Sequence, residues 1–247
     1  MTDPFLLAFV VCVFLLGGLS KGVLGMGLPT ITLGLLAIAM APVEAAALLI
    51  VPSLVTNFWQ MLAGGRFMAL CARLWPFLLM LVPSTLAAAG LLTGPLGRHA
   101  GLALGVVLLF YGALTLSGRQ WRVAPAREKS TGAFCGLATG AVTGVTGVFV
   151  MPAVPYLNAI GLEKDELVQA LGISFMVSTA ALAVGLGHAG AFDLDAAANS
   201  LVALGPALAG MWIGQRIRAR LSVATFRCAF FLFVLALGAY LTLKGIL

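Results

Sequence analysis

The chain has 247 residues, of which 62% are hydrophobic and 9% charged, where soluble domains carry about a quarter charged residues. That excludes a soluble globular protein. The formal charge of +6 comes from basic residues in short loops, where they orient a membrane protein and meet anionic head groups, so nucleic acid is not implied as a partner.

The start, Met1-Thr2-Asp3-Pro4, lacks the basic region that precedes the apolar core of a cleavable signal, so the first apolar segment is expected to remain in the protein. That segment, near 5–40, is interrupted by Gly18, Gly22, Gly25 and Gly27, with Lys21 and Pro29. Such glycines serve either φ > 0 and close backbone approach to a ligand or tight helix contact. A lysine at the membrane midplane costs on the order of 3 kcal/mol on an insertion scale. Three readings of Lys21 are open: a cation for an anionic substrate, a side chain snorkelling to the surface, or a structural partner. Exposed amides and helix N-termini at the break would reinforce the first.

The segment near 45–64 follows. Its Ser53, Thr56, Asn57 and Gln60 are spaced i, i+3, i+4 and i+7 and share one helix face; they either bond neighbouring helices or line a cavity. Pro52 on the same helix frees a backbone carbonyl. Glu44 lies at the expected first turn, where a carboxylate is stabilised by the helix dipole. The segments near 74–93 and 100–117 carry no candidate, and 118–131 is a basic linker. The segment near 132–160 has the second break, Gly140-Gly144-Gly147, then Met151 and Pro152. Gly136, Gly140 and Gly144 also fall at successive fourth positions, a small-residue packing face. The segment near 167–187 carries Ser174, Ser178 and Thr179, preceded by Glu166 at an expected first turn. Asp193 and Asp195 read as a loop and a helix cap ahead of 196–215, and 226–245 closes the chain.

A shift of 122 residues superimposes Gly18 on Gly140, Gly22 on Gly144, Gly25 on Gly147, Glu44 on Glu166 and Gly65 on Gly187. Lys21 falls on Thr143, so only one copy carries the charge. Paired, interrupted hydrophobic segments in two halves point to a transporter with its site between repeats. Charge decides the topology. If all eight segments cross once, the basic loop residues divide seven to six, which specifies nothing. If 5–40 and 132–160 each return to the side they entered, one side collects Arg66, Arg73, Arg119, Arg122, Arg127, Lys129, Lys164, Arg216, Arg218, Arg220 and Arg227, and the other only Arg98 and Lys244. Eleven against two is a strong positive-inside bias.

The expected architecture is therefore an all-α integral membrane protein of two inverted-topology repeats. Each is a re-entrant or broken helical hairpin followed by three transmembrane helices. The N-terminal repeat is 1–117, the cytoplasmic linker 118–131 and the C-terminal repeat 132–247, with both termini periplasmic. The second hairpin, at about 29 residues, is too short for two crossings of about 20 residues and is expected to be built from short helices around irregular backbone. The four cysteines, Cys12, Cys71, Cys135 and Cys228, lack metal-ligand spacing; His99 and His188 stand alone; and neither a catalytic set nor a phosphate-binding loop is present. No enzyme, metal or cofactor is expected.

The stretch from Gly17 to Thr30, GGLSKGVLGMGLPT, and the stretch from Ala45 to Gln60, AAALLIVPSLVTNFWQ, resemble the two conserved blocks of the TauE/SafE family, the sulfite exporters. The resemblance implies a bacterial inner-membrane secondary transporter for sulfite, sulfoacetate or other small organosulfonates. The site expected on that basis holds the anion between the hairpin tips on Lys21, the backbone of Gly22, Gly25 and Gly27, and Ser53, Thr56, Asn57 and Gln60, with Thr143, Ser174, Ser178 and Thr179 from the second half. A proton or sodium ion as coupling ion, membrane lipids and a homodimeric partner complete the expectation. An anion channel, or a carrier of another small organic anion, is the alternative.

Overall fold

The computed structural model describes residues 3–94, 97, 99–119, 121–218 and 222–247; Arg98 and Arg220, counted above, lie outside the described residues. The chain folds as α1 (Pro4–Leu24), α2 (Leu28–Ala39), α3 (Pro42–Leu62), α4 (Phe67–Thr93), α5 (Ala100–Leu116), α6 (Glu128–Thr146), α7 (Ala153–Ala159), α8 (Lys164–His188), α9 (Leu194–Arg218) and α10 (Val223–Ile246). There is no strand among the described residues. Six helices, α1, α3, α4, α8, α9 and α10, are long and apolar enough to cross a membrane. The chain is a multi-pass integral membrane protein.

Local chemistry sets the helix ends. Asp3 accepts the Phe5 N–H at 2.9 Å and Pro4 follows it in the first turn, the usual start signal. α1 stops at Gly25, whose φ of 76° is left-handed and whose N–H donates to the Lys21 carbonyl. α6 stops in the same way at Gly147, φ 75°, with its N–H on the Thr143 carbonyl. A residue with a Cβ is disfavoured at either position. Glu44 and Glu166 each accept the backbone N–H three residues before them, at Ala41 and Glu163, which is the helix-start role read from the sequence.

The two broken hairpins have unequal arms. α1 has 21 residues and α2 has 12; α6 has 19 and α7 has 7. At 1.5 Å per residue, the first arm of each is near the length of a crossing and the second covers a fraction of one. α6 is longer than its apolar stretch suggests because it begins at Glu128, inside the expected linker. Glu128-Lys129-Ser130-Thr131 is polar in composition, yet it forms a first turn in which the carboxylate favours the helix N-terminus.

Helix packing is crossed between the halves. The most extensive contacts are α4 with α6, α1 with α9, α5 with α10 and α3 with α8. Glycines make the first two possible. A side chain at Gly18 would strike the Ala207 backbone, and one at Gly22 the Met211 backbone. In the other half, one at Gly140 would strike Thr85 and one at Gly144 would strike Ala89. Residues 207 and 211 stand 122 after 85 and 89, so corresponding stretches of α9 and α4 carry the two contacts, offset from one another by one helical turn. In lipid, where apolar burial does not drive helices together, close backbone approach of this kind is the main source of association.

The same contacts give the chain directions. α1 with α9, and α4 with α6, run parallel; α3 with α8, and α5 with α10, run antiparallel, as Gly105 against Thr242 and Gly112 against Leu235 show for the latter pair. One end of the bundle gathers Arg66, Arg73, the 117–127 connection, Lys164 and the last turn of α9 with Arg216 and Arg218. Lys244 and the start of α1 lie at the opposite end. Two ion pairs, Arg66 with Glu166 and Arg73 with Glu128, fasten the basic end.

Candidate functional site

Lys21 sits one turn before the break, on a helix whose glycine face is already occupied by α9. Its side chain is 4% exposed and does not reach the surface, which rules out snorkelling. The side-chain nitrogen donates to Thr56 Oγ1 at 3.0 Å and to Asn57 Oδ1. No carboxylate pairs with it among the described residues. Asn57 in turn donates through Nδ2 to Thr179 Oγ1 at 3.2 Å, so a continuous polar chain runs from α1 through α3 to α8. Asn57 and Thr179 are themselves 122 residues apart.

The stripe on α3 is buried along its whole length: Ser53, Thr56, Asn57 and Gln60 are all inaccessible or nearly so. Its members have distinct parts. The Thr56 hydroxyl donates to the Pro52 carbonyl at 2.7 Å while accepting from Lys21. Gln60 Nε2 donates to the carbonyls of Gly25 at 2.9 Å and Val168 at 3.0 Å, binding the break to the end of α3 and the start of α8. Since an amide oxygen only accepts, Gln60 cannot hold an anion directly; it is a clamp. Ser53 Oγ and Gln60 Oε1 have no partner among the described residues. Unsatisfied buried polar atoms are uncommon in native proteins, and these two flank the lysine's acceptors on the same helix face.

The other expected residues are used differently. Ser174 donates to the Ala170 carbonyl, Ser178 to Ser174, Thr179 to Phe175 and Thr143 to Thr139. Each hydroxyl proton is thus taken by its own helix, and of the four only Thr179 joins the Lys21 chain. Gly22 is a packing residue against α9, and Gly25 a conformational one. Gly27 is both: its φ is 109°, and a Cβ there would meet Phe230 and Ser20. Gly27 also precedes α2 without a side chain to cap it, leaving first-turn amides of that helix without an intrahelical acceptor.

The equivalent place in the second half is filled. Gly27 corresponds to Phe149 and Ser53 to Phe175, and these two rings pack with centroids 5.1 Å apart. Gln60 corresponds to Leu182, which is buried. One half holds a polar cluster and the other an aromatic plug at the same positions.

Ser200 is a functional-looking polar residue that sequence reasoning missed. Pro52 has no N–H for the Leu48 carbonyl, and the Ser200 hydroxyl of α9 donates to that oxygen at 2.8 Å while accepting from Val51 N–H at 3.0 Å. The carbonyl freed by Pro52 therefore joins two helices instead of shaping a pocket. The proline was the signal, but nothing in the sequence says which helix supplies the hydroxyl. A cavity of about 410 Å³ opens at the non-basic end, between the ends of α2, α4 and α10, with Lys244 the one charged residue in its wall among the described residues. None of the expected site residues lines it.

Comparison with curated proteins and with solved structures finds no match. The family model described as sulfite exporter TauE/SafE matches residues 10–241, which include most of α1, both breaks, the α3 stripe and most of α10. A helical membrane protein with that match over almost its whole length belongs to the TauE/SafE sulfite exporter family of membrane transporters.

Proposed function

We propose that this protein is a secondary transporter of small sulfur-containing anions such as sulfite, sulfoacetate and other organosulfonates, working by alternating access. The observation that carries the proposal is Lys21: a buried lysine with no carboxylate partner among the described residues, seated on Thr56 and Asn57, with the free hydroxyl of Ser53 on the same face. When it is charged, a buried lysine calls for a partner of opposite sign, and an anion supplies it. In this reading the anion takes donors from Lys21, Ser53 and the first turn of α2. Asn57 and Thr56 position the lysine, Gln60 clamps the break, and Thr179 carries the contact to the second half. A single anion site in the first half accords with the aromatic plug in the second.

The halves, 1–117 and 132–247 about a short linker, are read as inverted repeats. The crossed packing of α1 with α9 and α6 with α4 supports this, as does the bond between Asn57 and its own counterpart Thr179, a pair that in this reading lies near the axis relating the halves. Rocking of one half against the other about this axis then exposes the site alternately. The gathering of basic residues at one end supports a cytoplasmic linker and periplasmic termini in a bacterial inner membrane. The cavity beside Lys244 is then the outward vestibule. A coupling ion drives uphill movement.

The test is counterflow of labelled sulfite and sulfoacetate in proteoliposomes, for wild type and Lys21→Ala. Trans-stimulated flux is expected in wild type and is expected to fall to the protein-free level in the variant, with reconstitution unchanged. Flux insensitive to trans substrate would make the protein a channel, and full activity in Lys21→Ala would remove the lysine from the site.

A further inference from the structure

The hydrogen-bond arithmetic at Lys21 identifies the coupling ion, given the anion site proposed above. An ammonium has three N–H donors and a neutral amine has two. Lys21 finds two acceptors, Thr56 Oγ1 and Asn57 Oδ1. The Thr56 hydroxyl can receive the lysine's hydrogen bond because its own proton is directed at Pro52. Asn57 keeps its orientation because its Nδ2 is held by Thr179. The empty site thus answers both N–H groups of an amine, while an ammonium would leave one donor and one charge unanswered.

The surroundings point the same way. α2 has no ionisable residue. α3 has only Glu44, in its first turn, at the other end of the helix. α9 has Asp195 at its far end, and Arg216 and Arg218 in the turn beyond the contact with Gly22. α10 offers Arg227, Cys228, Tyr240 and Lys244. α8 offers Lys164, Asp165, Glu166 paired with Arg66, and His188 at its far end. From α5 comes Tyr111, whose hydroxyl donates to Met26 Sδ at 3.2 Å. Asp3 begins α1, more than four turns from Lys21. No carboxylate in this set bonds Lys21, whereas Arg216, Arg218 and Arg227 stand at its end of the bundle.

We propose that the anion and a proton bind together: Lys21 takes up a proton as the anion arrives, the third N–H donates to an anion oxygen, and the anion crosses with its charge offset by one, a neutral unit for a monoanionic sulfonate. On release the anion and the proton depart, and Lys21 returns as the amine on its two oxygens. In this scheme the cotransported ion is the proton, taken up on a lysine nitrogen that already occupies Thr56 Oγ1 and Asn57 Oδ1. No bond other than N–H forms or breaks.

The experiment uses the purified full-length protein at mildly alkaline pH in dilute buffer with an indicator dye. Methanesulfonate and sulfoacetate are the probes, since neither takes up a proton itself at that pH. Calorimetry in parallel reads anion binding. Uptake of about one proton per anion bound is expected. Lys21→Arg, whose guanidinium is always charged, is expected to take up no proton for whatever anion it binds, at an affinity that does not change with pH. Should that variant fail to fold, the wild type alone decides: its affinity is expected to weaken as pH rises, approaching tenfold per pH unit. Anion binding without proton uptake, at an affinity independent of pH, overturns the proton step and leaves the anion site standing. Absence of binding by either anion or by sulfite overturns the anion site itself.

Discussion

At the scale of single residues, the site is a matter of which donors are free. Lys21 is held by two acceptors from α3, and the stripe that supplies them also exposes an unused hydroxyl at Ser53. Asn57→Asp tests the account from the opposite direction to removing the lysine. A carboxylate at that position gives Lys21 a permanent counter-ion, so a mobile anion must compete with a tethered one. Sulfonate affinity measured by calorimetry is expected to fall by more than about tenfold, or about 1.4 kcal/mol, while the protein still purifies as a folded species. Unchanged affinity would mean that the anion does not sit at Lys21. The stripe was legible in the sequence because 53, 56, 57 and 60 follow helical spacing and amides are conspicuous in an apolar segment. The repeat partners Ser174, Ser178 and Thr143 were read as site residues by the same logic, but a hydroxyl can satisfy itself on the carbonyl four residues back. That choice depends on what faces the helix. The α3 face has a lysine beside it, whereas Phe149 and Phe175 fill the corresponding space in the second half.

At the scale of elements, the glycines divide by use. Gly18, Gly22, Gly136, Gly140 and Gly144 let backbones touch across α1–α9 and α4–α6, while Gly25 and Gly147 allow the left-handed stop that makes each hairpin. Sequence spacing exposes the packing face on α6 but cannot separate the two uses at Gly22 or Gly25, because both require the absence of a Cβ. Gly22→Ala is expected to lower the stability of the purified protein by about 1–3 kcal/mol, read as a drop in the thermal midpoint, since the obstructing atoms belong to the α9 backbone and cannot rotate away. Gly90→Ala is the matched control: nothing lies within 4 Å of its Cβ position, and no loss is expected. The short arms are anchored alike at opposite ends of the bundle. Lys244 donates to the Ile38 carbonyl at 3.2 Å, and Arg73 to the Ile160 carbonyl at 2.8 Å, and those isoleucines are 122 residues apart. In each case a cation meets the negative end of a short helix. The two cations come from non-equivalent helices, so no sequence alignment of the halves would pair them.

At the scale of the whole molecule, the charge count and the packing lead to one orientation. In a cysteine-free background, Ala189→Cys, between α8 and α9, is expected to react with a membrane-impermeant maleimide in intact cells. Ala124→Cys, in the connection before α6, is expected to react only after permeabilisation. The reverse pattern would invert the proposed orientation, and equal labelling would undo it. The number of segments and their return at the glycine breaks were legible from hydropathy and loop charge. The unequal arms were not, since α6 draws its first turn from polar residues that count against membrane insertion and yet continue the helix.

The crossing of helices between the halves also constrains how the protein is made. α1 emerges from the ribosome first, yet the backbone surface at Gly18 and Gly22 is met only by α9, and α5 is met chiefly by α10. During synthesis the first hairpin therefore stays in the bilayer with its glycine face against lipid, and it is not enclosed until nearly the end of the message has been translated. A chain terminated after α8 would contain every candidate anion ligand and still leave α1 and α5 without their main partners. Premature stop codons late in the gene should therefore yield chains that membrane quality control removes, as completely as those from early ones.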